Sequence, residues 1–126
     1  MIHLVWTREN VYGIVLLFTM TTKAAIFGVP LDLGAENLGV DIGPSAFRHE
    51  KIVEKLENVV FQIDDKGDVF CKQRSEIELG NPKLKYLSEI KRVSEESAKI
   101  VHNLIKEERK VIALGGDHSI NLGAVS

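Results

Sequence analysis

The segment VIALGGDHS, Val111 to Ser119, decides the fold. Four apolar residues, Val111, Ile112, Ala113 and Leu114, run into Gly115 and Gly116 and then into Asp117, His118 and Ser119. A β-branched apolar run of this kind predicts a strand covered on both faces, as in parallel sheets. Two consecutive glycines let the chain turn sharply and approach a ligand or another backbone closely. Open α/β sheets bind ligands beyond the carboxyl ends of their strands, so the turn delivers His118 to a position suited to chemistry. On these residues alone His118 reads either as a ligand or as a polar residue at a helix start. Asp117 reads either as a carboxylate orienting the site or as a helix cap.

Immediately upstream, Leu84 to Arg109 has helical periodicity. Leu87, Ile90, Ala98, Val101, Leu104 and Ile105 fall on one side, with Lys91, Glu95, Lys99 and Lys106 largely opposite. Such a helix would be roughly 38 Å long, with Tyr86 and His102 at its surface or rim. Nearer the amino terminus, Ala24 to Val29 predicts a first buried strand, stopped by Pro30. A loop runs from Leu31 to Gly43, carrying Gly34 and Gly39, and its Asp32 and Asp41 are accounted for by turns between glycines. Gly43 and Pro44 signal a helix start. That helix is expected to reach about Glu57, with Ala46, Phe47, Ile52, Val53 and Leu56 facing the core. Val59, Val60, Phe61 and Ile63 predict a second strand, and Asp64 to Gly67 a turn after it. A short extended piece at 68–70 and a polar, solvated loop over 71–82 complete the connection, and a further helix is expected to begin near Ser119 or Ile120. Strands alternating with helices, joined by connections too long for hairpins, predict an α/β fold: a parallel sheet with flanking helices. The strand leading to His118 would carry an open apolar edge.

Composition narrows the function classes. The 126 residues suffice for one domain with a modest core, and the net charge of −2 supplies no basic field for a nucleic-acid backbone. Cys71 is the only cysteine, which excludes an internal disulfide and a thiolate metal cage. It reads as an inert thiol in a reducing, cytoplasmic setting. Residues 1–19 differ sharply in composition from the rest of the chain. Their apolar run, Val11 to Phe18, is less than half of the about 20 residues needed to cross a bilayer, so no membrane span is expected. Glu9 sits between Arg8 and this run, and no small-residue cleavage site comes after it, which argues against a secretory signal. The expectation is that Met20 is the natural start, that residues 1–19 are an atypical leader outside the fold, and that 20–126 form an incomplete α/β domain.

Two stretches together resemble one family. Ile26 to Gly34, continuing through Gly39, Val40, Asp41, Ile42, Gly43, Pro44, Ser45, Ala46, Phe47 and Arg48, is similar to the amino-terminal signature of arginases. Gly115 to Ser119, continuing into Ile120, Asn121, Leu122 and Gly123, resembles the first metal-binding motif of the same ureohydrolase family. The resemblance spans residues 23–126, and the form of residues 39–44 is closer to arginase than to agmatinase. It implies the amino-terminal part of a three-layer α/β/α enzyme with an eight-stranded parallel sheet. Two Mn2+ ions at its carboxyl edge would share a water whose lowered pKa lets it attack the guanidinium carbon of L-arginine, releasing L-ornithine and urea. It further implies a homo-oligomer, trimer or hexamer, and a metal-ligand role for His118 through a neutral imidazole.

No catalytic residue is assigned in this chain. The family's DxHxD motif, its later aspartates and its catalytic histidine have no counterpart here, and His3, His49 and His102 have no carboxylate pair at ligand spacing. One imidazole cannot hold two manganese ions, so this chain alone is expected to be inactive. Two other readings stand beside the arginase one. A catalytically dead fragment would act as an interaction module on full-length subunits, and a small-ligand binder would use Gly115 and Gly116 to cradle a phosphate without metal. No G-x-G-x-x-G or Walker pattern supports the last.

Overall fold

The structure is a computed structural model that describes residues 22–36, 38–60 and 62–124. The expected leader 1–19, the proposed start Met20, His3, and Phe61 of the expected second strand lie outside the described residues. In chain order the elements are β1 (Lys23–Val29), α1 (Gly43–His49), α2 (Ile52–Glu57), β2 (Gln62–Asp68), α3 (Leu87–Lys106), β3 (Lys110–Gly115) and α4 (Asn121–Ala124). Single 3-10 turns occupy Val40–Ile42, Arg74–Glu76 and His118–Ile120. The three strands form one parallel sheet in the order β2-β1-β3.

β1 is the centre of the sheet because it is the most apolar segment and the only strand of the three paired on both sides. Ala24 to Val29 are all buried. Its side chains Phe27 and Val29 join Leu31, Leu33, Val69 and Val93 in the core. β3 pairs with it from Ala24 opposite Lys110 to Val29 opposite Gly115. The chain moves from β1 to β2 on one side and then crosses to β3 on the other. Open α/β sheets bind ligands beyond the carboxyl ends of their strands, which here is the edge shared by β1 and β3.

Several expectations are corrected. The Asp64 to Gly67 segment is not a turn but the body of β2. Its carboxylates are met by arginines from outside the strand, in addition to Lys66 within it, 3.7 Å from Asp64. Asp64 meets Arg109 at 2.8 Å, while Arg48 of α1 grips Asp65 through Nε at 2.7 Å and Asp68 through Nη1 at 2.6 Å. Gly67, at φ 76°, takes up an irregularity where the register passes from Ile26 opposite Asp65 to Gly28 opposite Asp68. That places one extra residue on β2, a bulge.

The single helix expected over 44–57 is two helices, α1 and α2, because Lys51 adopts the left-handed conformation at φ 57°. α1 packs on β1 and β3 whereas α2 packs on β2, and one straight helix could not reach both. Ala46 and Phe47, expected in the core, are exposed, and the buried residue of α1 is Pro44. α3 is shorter than its periodicity suggests, and its buried line is Glu89, Val93, Ser97 and Leu104. Leu87 and Ile105, expected on that line, are exposed. Tyr86 precedes the helix in a left-handed conformation and packs against the core cluster, with Arg74 over its ring at 5.8 Å. Among the described residues no helix is long and apolar enough to cross a membrane.

Candidate functional site

The site is built where the loops after β1 and β3 meet at the carboxyl edge of the sheet. After Val29, the Leu31 amide bonds back to the Val29 carbonyl at 2.8 Å, so Pro30 sits in a tight reversal. The turn after β3 is then laid across this reversal. The Gly116 amide donates to the Val29 carbonyl at 3.2 Å and the Asp117 amide to the Leu31 carbonyl at 2.8 Å. The first contact extends the β1–β3 ladder by one bond, and the second steps one residue after β3 against two after β1, so the regular register ends there.

Close approach explains two of the glycines that carry the motifs. A Cβ on Gly116 would lie 2.1 Å from the Leu31 carbonyl oxygen and 3.1 Å from that of Val40. A Cβ on Gly43 would lie 2.3 Å from the carbonyl oxygen of Gly115. Each of these two glycines is therefore required by backbone of the other motif.

Asp117 is nine-tenths buried, at 8% exposure. Its Oδ1 accepts the Ser119 amide at 2.7 Å and the Ser119 hydroxyl, which makes it the cap of the turn at His118–Ile120. Its Oδ2 accepts the Gly34 amide at 2.7 Å from the other loop. The cap reading of Asp117 is thus met, and a cross-loop bond is added that sequence spacing could not show. His118 itself is exposed, and lines a shallow cavity with Gly115, Gly116, Asp117, Ile120 and Asn121.

The other candidates do not converge on it. Asp32 faces Arg74, whose Nε lies 3.6 Å from its carboxylate. Arg74 also reaches over the loop, with Nη2 donating to the carbonyls of Asp32 and, at 2.8 Å, of Ala35. His49 and His102 are exposed on α1 and α3. Among the described residues no three His, Cys, Asp or Glu side chains group as a metal cage. Tested against a two-manganese centre, the described donor set amounts to one imidazole, since the Asp117 carboxylate is already committed to three donors. It fits one position of such a centre and cannot hold two ions by itself.

Comparison with known proteins covers the stretch that holds both motifs. The arginase family model matches residues 22–126. The chain belongs to the arginase family. The arginase of Brevibacillus brevis is 42% identical over 108 residues, covering 85% of this chain and 36% of that protein. The arginase of Bacillus caldovelox is 37% identical over 103 residues, covering 81% of this chain and 34% of that protein. The solved structure of the Bacillus caldovelox arginase superposes with a TM-score of 0.76 at 36% identity, covering 83% of this chain and 36% of that one. An Entamoeba histolytica arginase solved in complex with L-ornithine gives 0.72 at 27% identity, covering 84% and 35%. The chain therefore spans about a third of the length of the arginases it matches, and corresponds to their amino-terminal portion. Its parallel sheet with flanking helices is the arginase-type α/β fold.

Proposed function

We propose that this chain forms part of the active-site scaffold of an arginase: a manganese-dependent, cytoplasmic, homo-oligomeric hydrolase that cleaves the guanidinium group of L-arginine to L-ornithine and urea. The observation that carries this reading is the meeting of the two family motifs at one sheet edge, with Gly43 against Gly115 and Gly116 against Leu31. The Entamoeba relative, solved with L-ornithine, supports the substrate class. Bound manganese would supply Lewis-acid activation of water for attack on the guanidinium carbon.

Three of this chain's residues take roles in that scheme. His118 is the single metal ligand assigned here, offered on an exposed turn as a neutral imidazole. Asp32 and Arg74 hold the loop beside it. The remaining ligands and the catalytic groups come from outside residues 20–126, the incomplete domain assigned to this chain. We therefore expect the purified 126-residue chain to release no urea from L-arginine in Mn2+, and the same sequence continued in frame through a DxHxD motif to do so. Urea release by the isolated chain, or a continuation lacking that motif, would overturn the reading. Co-purification with intact arginase subunits in the absence of activity would instead favour an interaction module.

A further inference from the structure

We propose that Asp117 is a positioning residue for His118 and not itself a metal ligand: its carboxylate latches the loop after β1 to the turn that presents the imidazole. The inference rests on the assignment of His118 as a ligand. A carboxylate offers about four lone-pair positions. In Asp117 three are filled by donors from two separate loops, the Gly34 amide on Oδ2 and the Ser119 amide and hydroxyl on Oδ1. Its own amide is bound to the Leu31 carbonyl. The residue directly before His118 is thus held through both its backbone and its side chain. It is buried, at 8% exposure, whereas its neighbour His118 is exposed.

The latch has a fixed far end. Gly34 stands 83 residues earlier in the chain, and its loop is pinned from the opposite side by Arg74 on the carbonyls of Asp32 and Ala35. The path from Arg74 through Gly34 to Asp117 therefore ends at the peptide that orients His118. Residues of this kind are known to tune metal affinity by fixing ligand orientation, typically by roughly 10–100-fold. Both oxygens must accept, so an asparagine in place of Asp117 would not serve. An amide presents one acceptor and one donor, and its NH2 would face either the Gly34 or the Ser119 amide, donor against donor.

The test compares Asp117→Asn, Arg74→Ala, Ser119→Ala and His118→Ala in the intact manganese enzyme. It reads Mn2+ stoichiometry and dissociation constant together with hydrogen exchange of the segment 31–36. Asp117→Asn is expected to weaken Mn2+ binding roughly 10–100-fold with faster exchange at Gly34 and stoichiometry retained. Ser119→Ala, which keeps both amide bonds, is expected to change affinity little. Wild-type affinity in Asp117→Asn alongside loss of metal in His118→Ala overturns the latch and leaves the ligand assignment standing. Loss of one ion in Asp117→Asn with unchanged exchange at Gly34 makes Asp117 a ligand and also overturns it. Unaltered binding in His118→Ala overturns the ligand assignment itself. Should Asp117→Asn not fold, Arg74→Ala decides, because it loosens the same loop without touching the turn: weaker Mn2+ binding with faster Gly34 exchange supports the latch, and wild-type affinity overturns it.

Discussion

Glu89 sits on α3 at 5% exposure, a charged side chain in a position that helical periodicity would give to a hydrophobe. Burial is tolerated because its carboxylate is filled: Arg92 donates through Nε at 2.9 Å and Nη2 at 2.7 Å, and the Lys72 amide donates at 3.1 Å. Arg92 in turn bonds the Phe70 carbonyl at 2.6 Å and Glu96 at 2.8 Å, tying the segment after β2 to the helix. The Arg92 hydrogen bonds outweigh desolvation and hold the Glu89 carboxyl below its usual value of 4.5. A folded value below the unfolded one means that this contribution is fully present above the usual value and is lost as pH falls through the depressed one. Glu89→Gln is expected to cost about 1–2 kcal/mol near neutral pH and to flatten the loss of stability below about pH 5. Urea melts of both proteins across the acid range check this, and parallel pH profiles would refute it. Cys71 illustrates the opposite balance. Burial pushes its thiol up to about 12, in line with the inert role read from composition.

At the scale of elements, α3 ends in a recognisable device with an unusual residue in it. Glu108 is left-handed at φ 57°, and the Arg109 and Glu108 amides return to the carbonyls of Leu104 at 3.0 Å and Ile105 at 2.9 Å. This is the Schellman arrangement, in which the left-handed position is usually glycine. The left-handed conformation costs an L-residue about 1–2 kcal/mol. Allowing for the greater freedom of glycine in the unfolded chain, Glu108→Gly is expected to stabilise the protein by about 0.5–1 kcal/mol. An unchanged or lower urea midpoint would count against it. The absence of glycine is also why the helix end was not legible, and the same holds for Lys51 between α1 and α2. The second strand was read too early, over Val59 to Ile63, for the converse reason: Asp64, Asp65, Lys66 and Gly67 have turn propensity, and only pairing with β1 and ion pairs to Arg48 and Arg109 make them strand.

At the scale of the whole molecule, apolar surface is left uncovered. Leu38 is 71% exposed, Phe70 67% and Leu122 63%. A cavity of about 690 Å³ opens between the loop at 33–36, the start of α3 and α4, bordered by Leu33, Leu84, Leu87, Ile90 and Leu122. Surface of this kind drives association. The isolated chain is therefore expected to bind a hydrophobic dye and to self-associate, read by fluorescence and light scattering. A dye-silent, monodisperse monomer with cooperative unfolding would refute this. The sequence alone determined the alternation of strands and helices, the parallel class, the buried first strand, the helix start at Pro44 and the pair of motifs that mark the family. These rest on residue types and short periodicities, which are local. The tertiary structure alone decided the break at Lys51, the bulge at Gly67, the buried line of α3 and the bond from Asp117 to Gly34. Each of these depends on a partner brought close by folding, and a partner 83 residues away leaves no periodic trace in the chain.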